Sequence, residues 1–158
     1  MTGPSAEVVT PAGLPLEQAA ARVGASCWIE LALPQVLTVW LVDETDPSTS
    51  ARLWAVRAHR AELAETWHRR LPELREMPRE GFVVPPARWA ERLAPDGAFA
   101  SAAGSTDRLS ALREVLGEIR DGYLEHQGLA VGPADGPVTD ALRQAVARTD
   151  SDLALLAI

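Results

Sequence analysis

Glu65 and His68 stand three residues apart in the run Glu65-Thr-Trp-His68. On an α-helix, positions i and i+3 share a face, so one turn offers a carboxylate oxygen and an imidazole nitrogen to the same ion. Glu30, a lone carboxylate in the most hydrophobic segment of the chain, supplies a third donor if its helix lies alongside. Two carboxylates and one histidine are the donors of a mononuclear iron or manganese site, and half the donors of a carboxylate-bridged dinuclear one. A carboxylate on an apolar stripe must be matched by a cation, by an arginine or by a proton. The competing partner for Glu30 is therefore an arginine of the next helix, Arg57 or Arg60.

The elements that must position these residues are helices. Residues 1–15 hold prolines and glycines among small residues and read as a flexible arm, leaving 16–158 as one domain. Apolar spacing predicts helix one over 16–42, with Pro34 kinking its interior. Asp46-Pro47 opens helix two, which should run to about Leu71. The Pro- and Gly-rich stretch 77–104 is a long crossover holding a short helix near 87–93. Helix three then spans 105–128, and helix four runs from Pro137 almost to the C-terminus. The fold class is all-α, a four-helix bundle with one long crossover between helices two and three.

Helical spacing also assigns faces. On helix one the stripe is Val23, Cys27, Glu30, Pro34, Leu37 and Leu41; on helix two it is Trp54, Ala58, Ala61, Glu65 and His68. His59 falls on the opposite flank, as a satisfied core or interface histidine. Helix three buries Leu109, Leu112, Leu116, Ile119, Tyr123 and His126, with Glu114, Glu118 and Glu125 on its solvated side. Helix four buries Val138, Leu142, Ala145, Thr149, Leu153 and Leu156. Cys27, the sole cysteine, reads as a packed thiol and forbids an internal disulfide.

The runs Cys27-Trp-Ile-Glu-Leu-Ala-Leu and His59-Arg-Ala-Glu-Leu-Ala-Glu-Thr-Trp-His68 resemble the ferritin-like superfamily of four-helix-bundle di-iron carboxylate proteins. That resemblance implies a Glu on the first helix, Glu-x-x-His on the second, Glu on the third and Glu-x-x-His on the fourth. Glu30, Glu65 and His68 match the first half. In the second half, Glu118 and Asp150 keep the family's spacing, but Leu153 stands where it needs His. His126 and Asp152 are the other weak candidates. The half-site is degenerate, so the expectation is at most one iron or manganese ion, or none.

Composition bounds the partners. A net charge of -7 argues against nucleic acid, whose phosphates need a basic surface. All 15 basic residues are Arg, the codon bias of a GC-rich genome such as an actinobacterium's; lysine chemistry is excluded. The apolar stretch Cys27–Val42 is interrupted by Glu30 and Pro34 and falls short of the roughly 20 residues of a membrane span. The N-terminal residues have no signal-peptide pattern, so the expected location is the cytoplasm, with no membrane partner. Helix one is apolar nearly all round, which predicts a homodimer. Two functional readings stand level. One is a ferritin-like metal-dependent oxygenase or hydroxylase acting on a small molecule. The other is a non-catalytic ferritin-like binding or dimeric partner protein. Iron storage lacks the intact oxidation site it requires.

Overall fold

The computed structural model describes residues 12–157, and every regular element among them is helical. Residues 1–11 of the expected arm lie outside the described residues. Helix α1 spans Leu16–Asp43 and α2 spans Pro47–His68. A 3-10 turn follows at Arg79–Phe82, then the short α3 at Ala87–Arg92. Helix α4 covers Ser105–Leu129 and α5 covers Gly136–Leu156.

Local chemistry sets these boundaries. The Asp46 carboxylate accepts from the Thr49 amide at 2.6 Å, and Pro47 fills the first helical position, so α2 starts where the sequence says. Gly104 precedes α4 with φ 81°, a left-handed conformation that a side chain would disfavour. Helix α1 continues through Pro34, whose missing N–H leaves the Glu30 carbonyl without its intrahelical donor. At 28 residues, α1 is long and apolar enough to cross a membrane, contrary to the shorter stretch read from the sequence. Here it packs into a core shared with α2, α4 and α5.

Helix α1 lies along α2, α4 along α5, and α2 also meets α5. Leu33, Leu37, Leu53, Trp67, Leu112, Leu116, Leu142 and Leu156 are among the side chains fully closed off from solvent in the common core. At the end where α1 stops and α4 begins, the buried Arg108 binds Asp43 at 2.9 Å, Glu44 at 3.3 Å and the Trp40 carbonyl at 3.2 Å. The Glu44 carboxyl is held below its usual range by the Asp46 amide first, then by Ser105 and Arg108. Trp40 donates to the Ala100 carbonyl at 3.0 Å and packs on Phe99, tying the crossover to α1.

The face of α2 departs from expectation. Its buried residues are Thr49, Leu53, Val56, Arg60, Leu63, Ala64 and Trp67, while Trp54, Ala58, Ala61 and Glu65 are exposed and His68 is only half-covered. The stripe sits one residue earlier than predicted, about 100° round the helix. That rotation buries two leucines, a valine and Trp67 in place of Trp54, two alanines and two ionisable groups. The larger apolar gain wins, at the expense of drawing Arg60 into the core.

Gly24 of α1 receives the 3-10 turn directly: a Cβ there would stand 1.8 Å from the Phe82 carbonyl oxygen. Both contacting groups are backbone, so neither can rotate aside. We expect Gly24→Ala to push the turn off α1, destabilising the protein by about 1–3 kcal/mol in urea unfolding and speeding proteolysis within residues 72–86. An unchanged unfolding midpoint and digestion pattern would show that the turn is not seated there.

Candidate functional site

The polar centre of the molecule is built around Arg60, whose side chain is fully buried. Its Nη1 lies 3.2 Å from Glu30 Oε1 on α1 and 3.1 Å from Thr149 Oγ1 on α5. Its Nη2 lies 2.6 Å from Asp152 Oδ2, also on α5. Asp152 turns its other oxygen to His59 Nδ1 at 2.6 Å, and His59 opens the network to solvent on the α2 flank. Tyr123 of α4 donates its hydroxyl to Glu30 Oε1 and accepts from Trp67 Nε1 at 3.3 Å. One guanidinium thus links α2 to α1 and α5, and the tyrosine brings in α4.

Glu30, Thr149 and Asp152 are fully buried. Burial pushes the Glu30 carboxyl above its usual range; Arg60 and the Tyr123 hydrogen bond pull it down, and Asp152 adds to the rise. The Tyr123 phenol is pushed well above its ordinary value, by burial first and then by the neighbouring Glu30, so it stays a hydrogen-bond donor. With a proton on Glu30, the buried set reduces to one guanidinium against one carboxylate, which is electrically neutral. Glu30 Oε2 and Arg60 Nε have no hydrogen-bond partner among the described residues. The adjoining Cys27 thiol is pushed up to about 11 by burial and then by Glu30, and lies 3.6 Å from the Ala64 carbonyl. It is the packed thiol the sequence suggested, held protonated at neutral pH.

The sequence-derived metal donors do not converge. Glu65 is exposed and paired with Arg69 one turn on, while His68 points to Glu80 of the crossover at 3.5 Å. The rotated face of α2 turns both away from Glu30. Of the weaker candidates, Glu118 binds Arg88 at 2.5 Å and Arg92 at 3.1 Å, and Asp150 pairs with Arg120 at the surface. His126 stacks on Trp67 with ring centroids 6.3 Å apart, outside the Arg60 network. Asp152 does enter the centre, as a partner of Arg60. Among the described residues no three His, Cys, Asp or Glu side chains are grouped to hold a metal ion. The residues present do not fit an iron or manganese centre, because the cation between Glu30 and Asp152 is a guanidinium.

Sequence reasoning had named Arg60 as the rival partner of Glu30, and Thr149 and Asp152 as polar groups near the core face of the last helix. It missed Tyr123 as the hydroxyl that caps Glu30. The available signal was a tyrosine on an otherwise aliphatic stripe, since a buried phenol requires a partner. No family model, no curated protein and no solved structure matches this chain.

The raised Glu30 carboxyl makes a pH prediction. In the unfolded chain this group ionises in the ordinary carboxylate range, whereas in the fold it holds its proton to higher pH. Its contribution is therefore complete below the ordinary range and declines as pH rises toward the folded value. Glu30→Gln keeps an acceptor for Tyr123 and Arg60 but cannot ionise. We expect its stability at neutral pH to lie within about 1.5 kcal/mol of wild type. The advantage of wild type over the variant should shrink as pH rises above the ordinary carboxylate range of about 4 in urea titrations. A gap that widens with pH would mean that Glu30 is ionised in the fold.

Proposed function

We propose that this chain is a non-enzymatic helical-bundle protein of ferritin-like architecture, acting as a dimeric partner module. The observation that carries the reading is Arg60, fully buried between Glu30 at 3.2 Å and Asp152 at 2.6 Å. In a bundle that works through a metal, facing helices aim carboxylates and imidazoles at a shared ion. Here the facing carboxylates are already satisfied by an arginine that cannot lose its charge, so the centre holds the helices together. The four long helices and the break between α2 and α4 support the ferritin-like part of the reading.

The partner part rests on the surface of α1. Leu31, Val39 and Val42 are 47%, 67% and 84% exposed, and Trp54 on α2 is 55% exposed. Leu31 and Val39 border an apolar groove of about 510 Å³ between α1 and the crossover, floored by Val36 and Leu93 and flanked by Trp28. A second copy of α1 has matching apolar groups to offer, so the face is self-complementary. The same reading keeps the protein in the cytoplasm, with the exposed side of α1 covered by a partner instead of lipid.

Protein purified without chelator should contain iron and manganese far below one ion per chain by elemental analysis, and should sediment at twice the monomer mass at micromolar concentration. Val39→Glu should shift it to monomer with its helical circular dichroism retained. Stoichiometric iron or manganese would overturn the non-enzymatic reading. A wild-type monomer would overturn the dimer.

A further inference from the structure

A second cleft, of about 380 Å³, lies between α1, α4 and the short α3. Ser26 of α1 and His126 of α4 line it, 7% and 4% exposed; neither side chain hydrogen-bonds to the described residues, and their polar atoms keep access to the cleft. A helical serine usually returns its hydroxyl to the carbonyl one turn back, as Ser151 does to Ala147 at 3.0 Å; Ser26 does not. Buried polar side chains left without protein partners call for an explanation. Here both open into the same space.

The rest of the lining defines what fits. Ile29, Ile119, Trp89 and Tyr123 supply the large apolar side chains of a lining that is otherwise largely polar. Four of the charges at its edge are matched in pairs, Arg22 with Glu125 at 3.3 Å and Arg88 with Glu118 at 2.5 Å, and the fifth, Asp121, leaves the lining one negative charge in excess. An anionic ligand would have to break one of these pairs and meet that excess of its own sign. Burial, and then Arg22, lower the pKa of His126, so its imidazole is neutral and offers one donor and one acceptor. The volume falls at the small end of the about 300–1,000 Å³ of ligand pockets.

We propose that this cleft is a binding site for a small aromatic molecule without negative charge, bearing a hydroxyl or amide, with Ser26 and His126 holding its polar group and Trp89 packing its ring. The site shares with the Arg60 network Tyr123, whose phenol oxygen is engaged with Glu30, but its polar groups Ser26 and His126 lie outside that network, and it does not depend on the non-enzymatic reading.

The test is calorimetric titration of the full chain with 2-naphthol, 2-naphthoate and 2-naphthylmethylammonium as probes. 2-Naphthol should bind once per chain, with 2-naphthoate weaker by about ten-fold or more and 2-naphthylmethylammonium, which the Asp121 side attracts, tighter than 2-naphthoate. Ser26→Ala with His126→Phe keeps the shape and removes both polar partners, and should weaken 2-naphthol by about ten-fold or more. Gly122 lies on the cleft at an exposed helical position where an added Cβ meets nothing within 4 Å. Gly122→Leu should therefore fold normally and block the probe. The proposal is overturned if 2-naphthol fails to bind at about 1 mM, or if 2-naphthoate binds equally well. It is also overturned if Gly122→Leu or the double variant leaves binding unchanged, which would locate the probe elsewhere, as in the apolar groove beside α1.

Discussion

A guanidinium removed from water must recover the interactions it has lost, and the interior of this bundle is arranged around that requirement. Burying an ion costs several kcal/mol even after relaxation, and only close opposite charge with well-made hydrogen bonds offsets it. Arg60 finds these in Glu30, Thr149 and Asp152, drawn from two other helices. The pairings fix α1, α2 and α5 relative to one another more narrowly than interchangeable leucines would. Tyr123 extends the constraint to α4 through Glu30. The polar centre thus specifies which faces of the four long helices meet.

The same constraint bears on what the protein does. A bundle interior with two facing carboxylates has a choice of counter-charge, a metal or a protein cation. A metal can exchange ligands and change oxidation state. A guanidinium does neither, and its planar fork favours fixed bidentate geometry. On the proposed reading function moves to the surfaces, the apolar flank of α1 and the cleft lined by Ser26 and His126. These surfaces lie on different sides of the crossover residues, the groove against Leu93 and the cleft against Trp89.

Much of the fold was legible in the sequence because its punctuation is chemical. Asp46-Pro47, the proline-rich crossover and the apolar period of each segment mark helix ends to within a few residues. The buried face of α4, from Leu109 to His126, was also readable, for no competing stripe offers as many aliphatic residues. The face of α2 was not. Arg60 interrupts the true stripe of Leu53, Val56, Leu63 and Trp67, while the alanines beside Glu65 and His68 imitate a close-packed face. A buried Arg60 is tolerable because Asp152 and Thr149, far off in sequence, join Glu30 around it, and a helical period contains no information about those pairings. Glu30 was recognised as a group needing a partner; the choice between an ion and an arginine turned on that unseen register.

The central claim is that Arg60 is the cation on which the core depends, and its most direct test compares two replacements by urea unfolding at neutral pH. Arg60→Met alone strands Asp152 without its guanidinium, and the account predicts a loss of about 3–5 kcal/mol. Arg60→Met combined with Glu30→Leu and Asp152→Leu removes every buried charge of the centre, and should recover most of that loss while the helical content is kept. If Arg60→Met alone is as stable as wild type, the network does not organise the core and the account is wrong.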